Sequence, residues 1–236
     1  MAQRIDGVDP FQDISLEIAR GRVPDVTAID KFGLNPGVGS TYETVWDAGA
    51  LYAYPSSAVA MTVTSASGAS DNGVEVTIIG LDGDYVETQQ TVTLGGLGVA
   101  TTTQTFLRVF RAFVSNGQEA TGVLDIDNGG IVYAQIQPDY QQTLMAVYTI
   151  PAGKKGYILS GNLSSQKDKD ITAKLMIRQE GGVFQTKGIV LTPGTPFQRV
   201  WNIPPEVPAK ADIEIRAKAG ATGPVAAGFE IILVDA

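Results

Sequence analysis

At 236 residues the chain has room for one large all-β unit or two smaller ones, with a real core in either case. Its 27 Gly and 12 Pro, against two Trp and no Cys, imply many short elements joined by turns, and they exclude disulfides, thiolate chemistry and cysteine-ligated metal. Seventeen basic against twenty-five acidic residues give a formal net charge of -8, which repels phosphate backbones and excludes generic nucleic-acid binding.

The N-terminal stretch MAQRIDGVDPFQDISLEIARG holds no apolar run of the roughly 7 to 15 residues that a secretory signal needs. Near the C-terminus PVAAGFEIILV is shorter than the roughly 20 residues of a membrane span and contains Glu230. The expectation is a soluble, unprocessed protein made in the cytoplasm, with no membrane partner. Over residues 9–19, Phe11, Ile14, Leu16 and Ile18 fit neither the helical nor the strand period, while Asp9-Pro10 resembles an N-cap followed by a first-turn proline. A short helix and an extended arm are both open. Pro24, Pro36 and the glycines after them are expected to stop regular structure from running unbroken into residue 40. Residues 1–45 therefore read as an N-terminal arm and a Gly/Pro-rich joint. In that joint FGLNPGVGSTYETVWDAG resembles a phosphate cradle at first sight. A Walker-type loop, however, ends in Gly-Lys-Ser/Thr at a helix N-terminus, and GVGST has no lysine and leads into strand-like text. Asn35-Pro36-Gly37 reads as a turn.

From there the hydrophobic period is two. In residues 58–64 Val59, Met61 and Val63 share a face; in 73–80 Val74, Val76 and Ile78 do, with Glu75 and Thr77 pointing away. A turn centred on Asp82-Gly83, the dipeptide that supplies positive φ in hairpin loops, leads to a partner strand over 86–94. Residues 105–114, TFLRVFRAFV, are apolar on both faces apart from Arg108 and Arg111, which predicts a central strand. VLDID and IVYAQI form a second hairpin around Asn128-Gly129-Gly130. These elements make a first β lobe over 46–137.

Pro138 marks a seam, after which a second lobe, 138–236, begins with TLMAVYTI, the turn PAGK with Gly153 free to take positive φ, and GYILSGNL. ITAKLMIRQ and VFQTKGIVL pair through Glu180-Gly181-Gly182 as a third hairpin. The three prolines within 204–208 exclude a strand there and fit a corner connection between sheets. In ADIEIRAKA, Ile213 and Ile215 are expected to face in and Asp212, Glu214 and Arg216 to face out. About thirteen strands, spaced roughly 8 to 14 residues apart with no long helix, predict an all-β fold of antiparallel, jelly-roll-like β-sandwiches.

Chemistry is scarce. The chain has no histidine, which removes the Ser-His-Asp triad, the HExxH zinc site and the imidazole general base. The acid pairs Asp82/Asp84, Asp125/Asp127 and Asp168/Asp170 sit in turns where Asp and Asn are expected for backbone reasons. Calcium at Asp125 and Asp127 stays a lesser alternative, since none of these loops continues to the distal Glu of an EF-hand. Lys154, Lys155, Lys167 and Lys169 form a basic run that Asp168 and Asp170 largely neutralise, so it reads as a solvated turn. No cofactor and no resident metal is expected. The densest aromatic stretch, Tyr42, Trp46, Tyr52 and Tyr54, reads either as a staple or subunit-interface anchor, together with Phe11 of the arm, or as a platform for sugar rings.

FGLNPGVGSTYETVWDAGALYAYPSSA, DGDYVETQQTVTLGG and the later segments MAVYTIPAGKKGYI, VFQTKGI, PPEVPAKADIEIRAKA and AAGFEIILVD resemble virion structural proteins of tailed phages, marine and cyanobacterial ones in particular, over residues 32–236. The resemblance implies a capsid decoration or cement protein, or a related head accessory protein. Such a protein is often trimeric, binds the major capsid protein and belongs to the virion. It supplies no site residues. The alternative is a receptor- or glycan-binding module of a phage tail or neck, and an enzyme is the weakest reading.

Overall fold

A computed structural model of the chain describes residues 13–166 and 170–236. Phe11, the Asp9-Pro10 pair, Lys167, Asp168 and Lys169 lie outside the described residues. A short helix, α1 (Ile14–Ala19), is capped by Asp13, whose carboxylate accepts the Ser15 N–H at 2.9 Å. Then come β1 (Val26–Val38) and β2 (Glu43–Thr44), followed by β3 (Val59–Ser65), β4 (Glu75–Leu81), β5 (Glu87–Thr93), β6 (Val99–Phe106), β7 (Arg108–Val114), β8 (Leu124–Asn128) and β9 (Ile131–Ile136). The C-terminal half contains β10 (Val147–Thr149), β11 (Lys154–Ser165), β12 (Ile171–Arg178), β13 (Gln185–Thr192), β14 (Phe197–Val200), β15 (Glu206–Val207), β16 (Asp212–Ala219) and β17 (Gly223–Asp235).

Two antiparallel sandwiches result. The first packs the sheet β6-β3-β8-β9 on the sheet β5-β4-β7. Alternation delivers Met61, Val63, Leu124 and Ile126 from one sheet and Val76, Ile78 and Val109 from the other into a single core. The second packs β1-β17-β11-β14, with β15 on β11, against β10-β16-β12-β13, with β2 on β16. Ile158, Phe229 and Ile231 meet Ile171, Ile213 and Ile215 there. Each of these fully buried side chains contributes about 1.5–3 kcal/mol. The three expected hairpins are present as β4–β5, β8–β9 and β12–β13. Gly153 has φ +74° in the turn that Lys154 N–H closes on the Pro151 carbonyl.

Six expectations are corrected. Residues 26–38 do not belong to a detached, interrupted arm: β1 pairs with β17 from Val26↔Val234 to Val38↔Gly223 and forms an edge of the second sandwich. Pro36 is tolerated because it falls in the irregularity between Asn35 and Val38, on an edge strand whose outer side needs no N–H. Residues 105–114 are not one central strand. The chain breaks at Leu107, so that β6 pairs with β3 in one sheet and β7 with β4 in the other, where β7 is terminal. The 82–86 loop does not use Gly83 for positive φ. Asp82 Oδ1 accepts the N–H groups of Asp84 and Val86, and Tyr85 adopts φ +63°, a conformation that costs a non-glycine residue about 1–2 kcal/mol. Between its prolines, Glu206–Val207 does pair with β11, as a two-residue strand. The fifth correction, the facing of β16, creates the site described below. Thr77 is also covered rather than exposed, its hydroxyl bonded to that of Thr91 across the hairpin at 2.7 Å.

The two sandwiches share walls. Along residues 145–150, Met145 and Val147 lie in the first core while Ala146, Tyr148 and Ile150 lie in the second. The same alternation puts Trp46 in the first core and Val45 in the second. This is why LMAVYTI is apolar but for Thr149, whose hydroxyl is itself bonded to Asp212: both faces are buried. Gly33 lets β1 lie against that wall, since a Cβ there would come within 2.3 Å of the Val45 carbonyl oxygen and 2.4 Å of the Ala146 nitrogen.

Candidate functional site

The second hydrogen-bonded half of this wall is β16. Ile213 and Ile215 point into the second core as expected, but the opposite face of the strand is covered by the first lobe, so Asp212 and Glu214 are 2% and 0% exposed. A carboxylate that cannot reach water must be neutralised by partners. Asp212 Oδ1 accepts from Arg108 Nε at 2.7 Å and from the Thr149 hydroxyl at 2.7 Å; its Oδ2 accepts from Arg178 Nε at 2.9 Å and Arg108 Nη2 at 3.3 Å. Glu214 is ion-paired with Arg216 and accepts from the hydroxyls of Thr44 at 3.0 Å and Tyr54 at 3.4 Å. Burial pushes the Glu214 carboxyl above its usual range, while Arg216 and the two hydroxyls pull it back.

Local structure explains how Arg108 arrives there. The Leu107 N–H donates to the Leu81 carbonyl at 2.7 Å, which ends β6 and starts β7 with Arg108. Opposite stands Gly80, where a Cβ would lie 1.9 Å from the Arg108 carbonyl oxygen. The Arg108 guanidinium also donates to the carbonyls of Pro55 and Leu107, at 3.2 and 2.8 Å.

The aromatic stretch forms a column at this junction. Trp46 and Tyr52 meet edge to face at 5.1 Å, Tyr52 and Tyr54 at 4.8 Å, and Tyr54 and Phe184 are tilted at 5.5 Å. Arg178 lies over both Tyr54 (4.4 Å) and Phe184 (4.6 Å), and Arg108 over Tyr54 (5.2 Å) and Tyr85 (5.6 Å). Trp46 is 4% exposed and Tyr52 5%; Tyr52 donates its hydroxyl to the Val109 carbonyl at 3.1 Å. Burial raises the phenol pKa values of Tyr52 and Tyr54. Tyr42 stands apart, half-buried beneath Lys174 Nζ at 4.1 Å and Lys218 Nζ at 5.1 Å. Of the expected anchors, then, Trp46, Tyr52 and Tyr54 are brought together inside the chain and Tyr42 is not. Their partners Arg108, Arg178, Asp212 and Glu214 were missed; the only signal was two arginines in otherwise apolar strands.

Two further buried charges join the lobes. Lys31 on β1 donates to the Phe110 carbonyl, and burial, aided by Arg111, lowers its pKa to about 7. Asp47 accepts the Leu144 N–H, and burial raises its pKa to about 7. Lys31 lines a cleft of about 470 Å³ with Asp30, Glu87, Arg111 and Tyr148. Another of about 600 Å³ opens over Arg108, Arg178, Asp212, Ser56 and Ser57. In it both guanidinium groups are already committed to Asp212. Among the described residues no group of three or more carboxylates is placed to hold a metal ion, and every buried side-chain nitrogen and oxygen has a hydrogen-bond partner. What the arrangement does chemically is hold two sandwiches together.

No helix among the described residues is long and apolar enough to cross a membrane. No protein-family profile matches the chain, and no curated protein is similar to it in sequence. Among solved structures it is similar to T=1 particles derived from infectious bursal virus, at 13% identity and a TM-score of 0.27, over 89% of this chain and 70% of that one. It is also similar to infectious bursal disease virus of the Gt strain, at 11% identity and a TM-score of 0.24, over 89% and 73%. The VP2 subviral particle of infectious bursal disease virus matches at 12% identity and a TM-score of 0.24, over 89% and 72%. All three likenesses are low.

Proposed function

We propose that the chain is a non-enzymatic structural protein of a virus particle: a capsid decoration or cement protein of a tailed phage, working at subunit junctions with copies of itself and the major capsid protein. One observation carries the reading. The polar and aromatic side chains that could have built a reaction centre are packed and mutually satisfied between the two lobes, while large apolar side chains on and beside the edge strands β13 and β14 of the second lobe stand in solvent. Such a molecule has its own fold closed and its contact surface open, as a part held by neighbours requires. Self-association, as a homotrimer in the simplest form, would cover those strands, and many weak contacts on a shell would add through multivalency. The sequence resemblance to tailed-phage virion proteins supports the same reading. The glycan-binding alternative has less support, since Trp46 and Tyr52 present no open ring face for a sugar.

The test is to purify intact particles and identify this chain in them by mass spectrometry, then compare the heat and osmotic stability of particles made with and without it. The chain is expected in stoichiometric amounts on the head, and heads lacking it should break at lower temperature. Its absence from purified particles would overturn the proposal.

A further inference from the structure

The second sandwich is open along one side. β13 ends one of its sheets and β14 the other, and among the described residues neither has a partner on its outer edge. Between them runs an apolar groove lined by Leu175, Ile189, Val190, Phe197 and Trp201. The rim made by β13, β14 and the chain just beside them exposes Val183, Ile189, Leu191, Val200 and Ile203, with Leu191 at 74% and Ile203 at 86%. Isolated exposed apolar side chains are ordinary, but five along two adjoining free edges are a pairing surface. One protective device is present: the β12–β13 register skips Lys187 as a bulge. Beyond it, from 188 to 192, β13 has no charge and no proline.

Charge selects the occupant. Residues 181–205 contain no Asp or Glu and carry Lys187 and Arg199. Residues 46–137 hold nine acidic and two basic side chains, a formal net of -7, whereas 138–236 hold nine acidic and eleven basic, a net of +2. Two of the first lobe's acids, Asp125 and Asp127, lie on the face of β8 opposite the buried Leu124 and Ile126. In register beside them on β3 and β6 are Thr62, Thr64, Thr101 and Val99. Every copy thus carries an apolar, basic rim on one lobe and an acid-bearing sheet face on the other.

We infer that the β13–β14 rim of one copy docks on the outer face of the β6-β3-β8-β9 sheet of a second copy, with Lys187 and Arg199 set against Asp125 and Asp127. The contact is heterologous, joining unlike patches, so successive copies close into a ring or extend along a surface. This deepens the structural-protein reading and rests on it for its biological setting, although the docking itself is a property of the isolated chain.

The experiment is sedimentation equilibrium of the purified full chain at low and high salt. Wild type should associate with rising concentration, less so in high salt. K187E/R199E and D125K/D127K, which lie outside both cores, should each weaken association by at least about tenfold, and an equimolar mixture of the two should restore it, because each reversed patch then meets its complement. A chain that stays monomeric to on the order of 100 μM, or association that neither reversal weakens, overturns the docking. Particle analysis keeps the two claims apart. A monomeric chain found on virions sinks the docking and leaves the structural role, while an associating chain absent from virions does the reverse.

Discussion

The Nε of Arg108, at the start of β7 in the first lobe, donates to Asp212 Oδ1 on β16 of the second lobe across 2.7 Å, although 104 residues separate them. Both side chains are almost wholly buried, at 8% and 3% exposure, so the pair acts far from solvent screening. Asp212 also receives Arg178, which makes it the common counter-charge of two guanidinium groups.

Asp212→Asn leaves both arginines without that charge. Removing one partner of a buried pair costs about 3–5 kcal/mol, so the urea midpoint should fall markedly. Loss of the interlobe clasp should also separate the unfolding of the two sandwiches, visible as two transitions by fluorescence. An unchanged midpoint would mean that the lobes are held by apolar contacts alone.

The buried charges set opposite pH slopes. For Asp47 the folded pKa is raised from 3.8 to about 7, so the folded state holds the extra proton between those values, and stability falls as pH rises through that window. For Lys31 the folded pKa is lowered from 10.5 to about 7, so the unfolded state holds the extra proton, and stability rises from about pH 7 to 10.5. Each slope reaches about 1.4 kcal/mol per pH unit at its steepest. Together they place a stability minimum near neutrality. Relative to wild type, Asp47→Asn should flatten the acid side and Lys31→Met the alkaline side, as read by denaturation at a series of pH values.

Glycine substitutions separate required close approach from mere turn composition. Gly80→Ala would drive a Cβ to within 1.9 Å of the Arg108 carbonyl, and Gly33→Ala to within 2.3 Å of the Val45 carbonyl, both main-chain atoms that cannot swing aside. Each should cost about 1–3 kcal/mol or more. Gly37→Ala, with nothing within 4 Å of the added carbon, should stay within about 0.5 kcal/mol of wild type. Thermal melts of the three variants make the comparison.

Trp46→Ala empties a position packed against Tyr52 and the first core, and should cost about 3–5 kcal/mol. Tyr52→Phe removes only the bond to the Val109 carbonyl and should cost about 1 kcal/mol. If instead Trp46→Ala leaves the melting temperature intact and abolishes binding to a glycan array, the column is a sugar platform and the structural reading of it fails.

Much of the fold was legible because its signals are local. Alternation at Val59, Met61 and Val63 needs only neighbouring residues to put one face inward, and Asn128-Gly129-Gly130 turns because both glycines accept positive φ, +61° and +83°. The same local reading failed where the environment changes sign. Asp212 and Glu214 look like the wet face of an amphipathic strand, and so they would be if β16 had one core to face. Pro36 and Gly37 look like breakers, and so they would be in the middle of a sheet.

Periodicity, turn chemistry and the lack of Cys and His thus settle the strands, the hairpins and the poverty of reactive groups, because each depends on residues close together in the chain. That β1 returns to complete the C-terminal sandwich, that Arg108 meets Asp212, and that the Trp46–Tyr52–Tyr54 column is sealed between lobes were decided only in three dimensions. The free energy of a buried charge or ring is set by which distant partner covers it, and alternation along a strand looks the same whether its polar face meets water or arginine.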